Sequence, residues 1–384
     1  MTGAKIWLII KKNRARARNT QIKEALMKRT WCIIAAVLLA ASTVFANGGK
    51  DSAQSIRIGV SMPTKDLQRW SQDGANIKAL LEKNGYKVDL QYANNDIAAQ
   101  ASQIENMLTK NCKVIVIASI DGSALTEVLK TAKENGIPVI AYDRLIMNSD
   151  AVRYYATFDN YKVGQFQGMY LRDTLKLDST TEKVYIELFT GPTDDNNVNF
   201  FFPGAMDILN PYIKKGKLVV RSGQTEKAQV ATPNWSTEEA QKRMENLISA
   251  YGYGPNGTKL HAVLSSNDSV AQGIANALVA AGYTKETFPL LTGQDCDITS
   301  VKNMIKGHQS MSVFKDTRTL AGKVAEMIDA LVKGTEPPIN DTKTYDNGTG
   351  IIPSYLCEPV FATVDNYKKL LVESGYYTEA QLKN

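Results

Sequence analysis

Histidine is scarce in this sequence, and the motifs of nucleotide binding and covalent catalysis are missing. The 384 residues include only two histidines, His261 and His308, so neither a His-dependent triad nor a zinc site is expected. No G-x-G-x-x-G, G-x-x-x-x-G-K-S/T or G-x-S-x-G pattern follows a predicted strand. We therefore expect a protein without catalytic residues, bound metal or cofactor.

Cysteine is also rare. Besides Cys32, the chain has only Cys112, Cys296 and Cys357, an odd and widely separated set that cannot all pair internally. Their positions also lack the spacing of metal ligands. We expect these three side chains to be buried as small apolar groups.

The body of the protein lacks an excess of either charge. Residues 1–46 contain nine Lys or Arg and one Glu, and the remaining 36 basic and 38 acidic residues almost cancel. The formal net charge of +6 therefore comes from the N-terminal segment. A near-neutral body has no electrostatic footprint for nucleic acid, so no nucleic-acid partner is expected.

No apolar run is long enough to span a membrane. The run from Trp31 to Ala41 is shorter than the roughly 20 residues that a spanning helix needs. It follows a basic segment and precedes Val44-Phe-Ala46, a small-residue cleavage pattern. Residues 1–46 are predicted to be a signal peptide, with Met27 as an alternative start, and the pattern favours export of a soluble protein over a retained anchor.

Strands and helices alternate through the rest of the chain with short connections. The clearest unit is a β-α-β element in which apolar β-branched runs, Val114–Asp121 and Gly136–Arg144, flank one helix. A second series of strands and helices, including a helix at 198–209, begins after Asn160. Two series of similar length predict an α/β protein with two similar Rossmann-like lobes, each built on a parallel sheet.

Polar side chains follow nearly every predicted strand. They are Lys65 with Gln68-Arg69-Trp70, Asp121, Asp143-Arg144, Asp194-Asp-Asn-Asn197 with Asn199, Asn267-Asp268, Gln294-Asp295 and Lys315-Asp316. Ligands of open α/β sheets bind at the carboxyl ends of the strands, so we expect these groups to surround one cleft.

The chemistry of these groups suits a polyhydroxylated molecule. A sugar hydroxyl both donates and accepts hydrogen bonds, and it pairs well with carboxylates, with Arg or Lys, and with Asn amides. Trp70, Trp235 and one of Phe200, Phe201 or Phe202 could supply flat apolar faces for a pyranose ring. The pattern therefore indicates a site for a neutral sugar.

Several of these residues have ordinary structural alternatives. Asp268 and Asp316 could be helix N-caps, and Asp194 and Asp195 could be solvated loop acids. The run Phe200–Phe202 is more typical of a core. The strongest candidates for ligand contacts are Asp121, Arg144, Asn267 and Asp295, because they are single polar groups at successive strand ends.

Two neighbouring carboxylates could also serve glycoside hydrolysis. However, Arg144 follows Asp143 directly and should keep nearby acids ionised, whereas a general acid needs a raised pKa. Hydrolysis is therefore the less favoured function.

The chain resembles the periplasmic sugar-binding proteins of ABC importers, which have the type I fold, over essentially all of residues 55–384. It is most similar to the multiple-monosaccharide-binding (ChvE-like) group, followed by the xylose-binding proteins. The motifs that carry the resemblance are Met62-Pro-Thr-Lys with Arg69-Trp70, Val116-Ile-Ala-Ser-Ile-Asp-Gly122, Val139-Ile-Ala-Tyr-Asp-Arg-Leu-Ile146, Asp194-Asp-Asn-Asn197, Gly293-Gln-Asp295, Phe314-Lys-Asp-Thr317 and Pro353-Ser-Tyr.

This resemblance implies a specific set of ligand-binding residues. They are Arg69, Asp121, Arg144, Asn197, Asn267, Asp295 and Lys315, with Trp235 as a stacking ring and Trp70, Asp143 and Asn199 as further candidates. The implied ligands are aldopyranoses such as glucose, galactose, xylose and arabinose.

The resemblance also implies the lobes and the partners. The chain would cross three times between a first lobe (54–158 plus 316–346) and a second lobe (159–315 plus 347–384). Hinge closure on the sugar would create the form that the ABC permease recognises in the periplasm, and a sensor kinase or chemoreceptor is a further implied partner. We expect a monomeric binding protein. A sugar-responsive regulator and a secreted glycosidase are the alternatives.

Overall fold

The computed structural model describes residues 56–383 together with Trp7 and Lys11. The predicted cleavage site after Ala46 and the alternative start at Met27 lie outside the described residues. Within the part of the chain that is described, no helix is both long enough and apolar enough to cross a membrane.

The larger sheet has six parallel strands, in the order β11-β5-β4-β3-β1-β2. Its strands are β1 (Arg57–Met62), β2 (Lys87–Tyr92), β3 (Val114–Ile117), β4 (Val139–Tyr142), β5 (Val152–Phe158) and β11 (Ser354–Cys357). Apolar clusters cover both faces of this sheet, which explains why β3 and β4 are continuous apolar runs. We call this sheet and the helices packed on it the first lobe.

The second lobe contains a four-stranded parallel sheet in the order β7-β6-β8-β9 and a two-stranded antiparallel sheet in which β10 pairs with β12. Its strands are β6 (Val184–Phe189), β7 (Leu218–Val220), β8 (Ala262–Ser265), β9 (Leu290–Leu291), β10 (Met311–Phe314) and β12 (Val360–Thr363). Two further apolar clusters form its core.

Helices connect the strands in both lobes. They are α1 (Gln68–Lys83), α2 (Ile97–Thr109), α3 (Thr126–Glu134), α4 (Asn160–Thr174), α5 (Val198–Lys214), α6 (Thr237–Tyr251), α7 (Asp268–Ala280), α8 (Ile298–Lys306), α9 (Thr317–Lys333) and α10 (Glu379–Leu382). Short 3₁₀ segments occur at Lys227–Gln229 and Pro233–Trp235, and a π-helical turn spans Lys368–Glu373.

One predicted lobe boundary is wrong. The sequence assigned residues 347–384 to the second lobe, but β11 pairs in parallel with β5 and so lies in the first-lobe sheet. The chain joins the second lobe only with β12, which follows after a two-residue connection. The reason is that the β11 backbone completes its hydrogen bonds at an otherwise open edge of the larger sheet.

The α4–α5 pair depends on glycine. A Cβ atom on Gly164 would lie 2.0 Å from the carbonyl oxygen of Phe201, and one on Gly168 would lie 2.8 Å from that of Ala205. The two helix backbones can approach this closely only because these positions have no side chain. This packing fixes the start of α5, which follows the loop that carries Asp195 and Asn197.

The three cysteines of the described region, Cys112, Cys296 and Cys357, are buried and unpaired, as expected.

Candidate functional site

A cavity lies where strand ends of the two lobes face each other. Its walls come from the loops that follow β1, β4, β6, β8, β9 and β10, from the first turns of α1 and α5, and from the 3₁₀ turn at Trp235. The lining residues are Leu67, Arg69, Trp70, Asp143, Arg144, Asp195, Asn197, Phe201, Trp235, Asn267, Gln294, Asp295 and Lys315.

Nine of the eleven predicted site residues line this cavity, and two do not. Asp121 accepts a hydrogen bond from the amide of Ser123 in a local turn. The end of β3 instead contributes backbone carbonyls, because Arg144 donates to the oxygens of Ser119 (3.0 Å) and Ile120 (3.3 Å). Asn199 is exposed on the first turn of α5, where it donates to Asn196. The structure therefore places both residues outside the cavity.

Asp143 is the centre of the charged network. Its carboxylate lies 2.9 Å from the Arg69 guanidinium and 3.8 Å from the Lys315 ammonium group. Burial raises its pKa, but the charges of Arg69, Lys315 and Arg144 outweigh burial and hold the pKa below its ordinary value. Asp143 is therefore ionised at neutral pH.

The backbone of Asp143 is left-handed, with φ of 58°, which is unusual for a residue with a side chain. Three donors meet its carbonyl oxygen: the Tyr155 hydroxyl (2.6 Å), the Thr157 hydroxyl (2.9 Å) and the Asn197 amide (2.9 Å). Asn197 thus lines the cavity and also fixes the position of Asp143 from the opposite lobe.

Asp295, from the second lobe, contacts the same two cations as Asp143. Its carboxylate is 3.1 Å from Lys315 and 3.5 Å from Arg69, and it is 9% exposed. Arg69 also pairs with Asp73 on the next turn of α1 at 2.8 Å. Two cations thus link carboxylates of both lobes.

Asp195 is a lining residue for which the sequence left open the alternative of a solvated loop acid. It is 3% exposed, pairs with Arg144 at 2.9 Å and accepts from the Trp235 indole N–H at 3.1 Å. It therefore fixes a cation and an aromatic ring at once. No local signal separates it from the exposed Asp194, because only the path of the loop turns one of the two inward.

Two aromatic rings shape the apolar part of the wall. Trp235 packs so closely on Gly191 that a Cβ atom there would lie 2.1 Å from the ring. Trp70 has the guanidinium groups of Arg69 and Arg144 at 4.4 and 5.2 Å from its ring centroid. Phe201 is the one residue of the Phe200–Phe202 run that reaches the cavity, as expected.

Capping and site functions coincide at Asn267. Its Oδ1 accepts from the amide of Val270 and caps α7, while the residue lines the cavity. Asp316 caps α9, in agreement with the structural alternative. Asp268 does not serve as the cap; it is buried and accepts from Ser312, Gln309 and the amide of Asp297.

Two polar atoms of the cavity wall have neither a hydrogen-bond partner nor an ion-pair partner within the described residues. They are the indole N–H of Trp70, a donor, and Oε1 of Gln294, an acceptor, and both are buried. Buried polar groups are nearly always hydrogen-bonded, so such groups indicate where a polar ligand binds. Across the described residues, no group of three His, Cys, Asp or Glu has the arrangement of a metal site.

The two lobes of parallel sheets, joined around one polar cleft, define a periplasmic binding protein of the type I fold. The chain belongs to this family, since residues 58–336 match the periplasmic binding protein domain.

Individual relatives are highly similar. The chain is 50% identical over 328 residues to the multiple sugar-binding periplasmic protein SbpA of Azospirillum brasilense, which covers 85% of this chain and 91% of SbpA. It is also 50% identical over 328 residues to the multiple sugar-binding periplasmic receptor ChvE of Rhizobium radiobacter, covering 85% and 92%. A solved ABC transporter solute binding protein from Clostridium phytofermentans, with bound β-D-glucose, is 60% identical with a TM-score of 0.83, covering 85% of this chain and all of that one. The family and fold expected from the motifs are confirmed.

Proposed function

We propose that this protein is an extracytoplasmic receptor that binds aldopyranose monosaccharides between its lobes and delivers them to an ABC transporter. The names of SbpA and ChvE as multiple sugar-binding proteins support this function, and so does the glucose bound to the Clostridium protein.

The observation that carries the proposal is the composition of the cavity wall. Asp143, which is ionised, and Asp295 offer acceptors, and Arg69, Arg144 and Lys315 offer donors. The indole N–H of Trp70 and Oε1 of Gln294 have no partner among the described residues. A ring with several hydroxyls can satisfy donors and acceptors at the same time, which an anion or a hydrocarbon cannot do.

The lining of the cavity decides which of the predicted residues are proposed to contact the sugar. We propose direct contacts from the nine lining residues among the eleven candidates, and none from Asp121 or Asn199.

The proposed mechanism is hinge closure. Arg144 of the first lobe pairs with Asp195 of the second, and Asp143 of the first lies near Lys315 of the second. A sugar that bridges the same groups adds contacts available only when the lobes meet, so it shifts the population toward the closed form that a permease recognises.

Catalysis has no part in the proposal. A glycosidase requires a carboxylic acid that stays protonated near neutral pH beside the sugar, whereas the cations around Asp143 lower its pKa. Purified protein should therefore release no aryl alcohol from aryl glycosides.

We propose that residues 1–46 direct export and that the mature, monomeric protein begins at Asn47 in the periplasm. A sensor kinase or chemoreceptor is a proposed second partner. N-terminal sequencing of the secreted protein and light scattering would test the cleavage site and the oligomeric state.

Titration calorimetry tests the sugar-binding function directly. Protein purified from Asn47 onward should bind at least one of glucose, galactose, xylose and arabinose, whereas a Lys315→Met variant should bind much more weakly because Asp143 and Asp295 lose a shared cation. Absence of heat with every sugar, from a folded wild-type protein, would refute the proposal.

A further inference from the structure

The turn after β9 presents Asp295 to the cavity in a strained backbone conformation. Asp295 and Cys296 have φ angles of 95° and 53°, both in the region that residues with side chains rarely adopt. Such a conformation persists only where the surrounding structure holds it. The partners of this turn therefore influence where the Asp295 carboxylate lies.

Side chains from four different segments hold the turn. Ser312 accepts from the amide of Cys296 at 3.1 Å, and Asp268 accepts from the amide of Asp297 at 2.9 Å. The hydroxyl of Tyr377 donates to the carbonyl oxygen of Cys296 at 2.9 Å. All three belong to the second lobe, so these bonds do not depend on how the lobes are arranged.

Two glutamines of α1 reach the turn from the first lobe. Gln72 makes only a long contact, since its Nε2 donates to the hydroxyl of Tyr377 at 3.4 Å. Gln68, on the first turn of α1, makes the closer contacts. Its Oε1 accepts from the amide of Ile298 at 3.1 Å, and its Nε2 donates to the hydroxyl of Tyr377 at 2.6 Å. Its neighbour Arg69 lies 3.5 Å from the carboxylate of Asp295. One helical turn of the first lobe thus contacts both the carboxylate of Asp295 and the backbone amide of Ile298, three residues further along the chain.

Tyr377 connects Gln68 of the first lobe to the strained turn of the second lobe. It is 3% exposed and packs in an apolar cluster with Cys296, Val301 and Phe314, outside the cavity. Its hydroxyl donates a hydrogen bond to the strained turn and accepts one from Gln68. Neither Gln68 nor Tyr377 lines the cavity.

We propose that Gln68 and Tyr377 are positioning residues that lock the Asp295 turn when the lobes close. We call this pair the Gln68–Tyr377 clasp. The inference rests on the proposed function, since it assigns the clasp a role in retaining the sugar. Its cross-lobe bonds form with closure, so the clasp should slow sugar release and leave the initial encounter unaffected.

Two variants separate the parts of the clasp. Gln68→Met keeps a side chain of similar length but removes both hydrogen bonds of Gln68 and leaves the longer bond from Gln72 to Tyr377. Tyr377→Phe removes the hydroxyl that both glutamines contact. Tyr283→Phe is the matched control, because Tyr283 is also a buried tyrosine of the second lobe but its hydroxyl has no partner among the described residues. Stopped-flow mixing with the sugar that binds best gives the association and dissociation rate constants.

The expected result is a dissociation rate about tenfold higher in each clasp variant, with the association rate and the melting temperature of the ligand-free Gln68→Met variant unchanged. The double variant should release sugar little faster than either single variant, because both changes break one unit. A dissociation rate of Gln68→Met equal to that of wild type and Tyr283→Phe would overturn the clasp. If Tyr377→Phe does not fold, Gln68→Met decides alone.

Failure of the clasp and failure of the proposed function give different results. A wild-type protein that binds no sugar defeats the proposed function and, with it, a role of the clasp in retaining sugar. In a wild-type protein that does bind sugar, hydrogen exchange of the Ile298 amide in the sugar-saturated state tests the clasp alone, because this amide donates to Gln68. Faster exchange in sugar-saturated Gln68→Met than in wild type supports the clasp, and equal exchange overturns it while leaving the proposed function intact.

Discussion

The single carboxylate of Asp195 contacts three residues around the cavity. It holds Arg144 of the first lobe and Trp235 of the second, and its Oδ1 also accepts from the amide of Asn197. Charge-assisted hydrogen bonds of this kind are stronger than neutral ones.

Replacement of this carboxylate should weaken sugar binding. In Asp195→Asn, Arg144 loses its ionic partner, and the loss of roughly 2 kcal/mol corresponds to a rise in Kd of about thirtyfold. Calorimetry measures the change. Asp194→Asn is the matched control, because the adjacent side chain is exposed and does not line the cavity. Equal affinities of the two variants would contradict the role of Asp195.

Asp297 gives the stability of the protein a dependence on pH. Burial, followed by repulsion from Asp295, raises the pKa of Asp297 to about 7, and its Oδ1 is buried without a hydrogen-bond partner within the described residues. An unfolded Asp titrates near pH 3.9. Between about pH 4 and 7 the native state therefore holds a proton that the unfolded chain has released.

The free energy of unfolding should fall as pH rises through this window. Asp297→Asn mimics the protonated side chain at every pH, so it should reduce this decline and be more stable than wild type at pH 8. Urea unfolding at pH 5 and pH 8 measures the difference. A variant that keeps the full decline of the wild type would rule out Asp297 as its source.

The helices α4 and α5 approach each other closely at Gly164. Gly164→Ala places a methyl group against the Phe201 carbonyl, so the helices must separate and the variant should lose about 1–3 kcal/mol of unfolding free energy. Gly322→Ala on α9 is the control, because a Cβ atom there meets nothing within 4 Å. It should stabilise the protein by about 0.4–1 kcal/mol. Similar unfolding midpoints for both variants would contradict the close approach of α4 and α5.

Hydrophobic periodicity and the polar residues at strand ends were sufficient to predict most helices, most strands and the cavity. They were not sufficient to predict the direction of every side chain or the end of every helix. The sequence predicts that α5 ends at 209, yet it continues to Lys214 despite Pro203 and Pro211. Burial of its apolar face outweighs the cost of the two prolines. Asp121 turned out to lie outside the cavity because its direction depends on a turn, and turns depend on tertiary contacts that no local pattern contains.

Across the whole molecule, ion pairs between the lobes surround the cavity, and sugar contacts should reinforce them. Small-angle X-ray scattering should therefore show a smaller radius of gyration after addition of saturating sugar. Lys315→Met, which lacks a cation near carboxylates of both lobes, should show little change at the same sugar concentration. An unchanged radius in a wild-type protein that binds sugar by calorimetry would exclude closure as the response.

The buried cysteines have a practical consequence. Burial raises the pKa of Cys112 to about 11 and that of Cys357 to about 12, and Cys296 is fully enclosed. In protein that begins at Asn47, these native thiols should resist alkylation. A single cysteine introduced at the mouth of the cleft would then be the only thiol to accept an environment-sensitive dye, which would convert the protein into an optical sugar sensor without removal of any native cysteine.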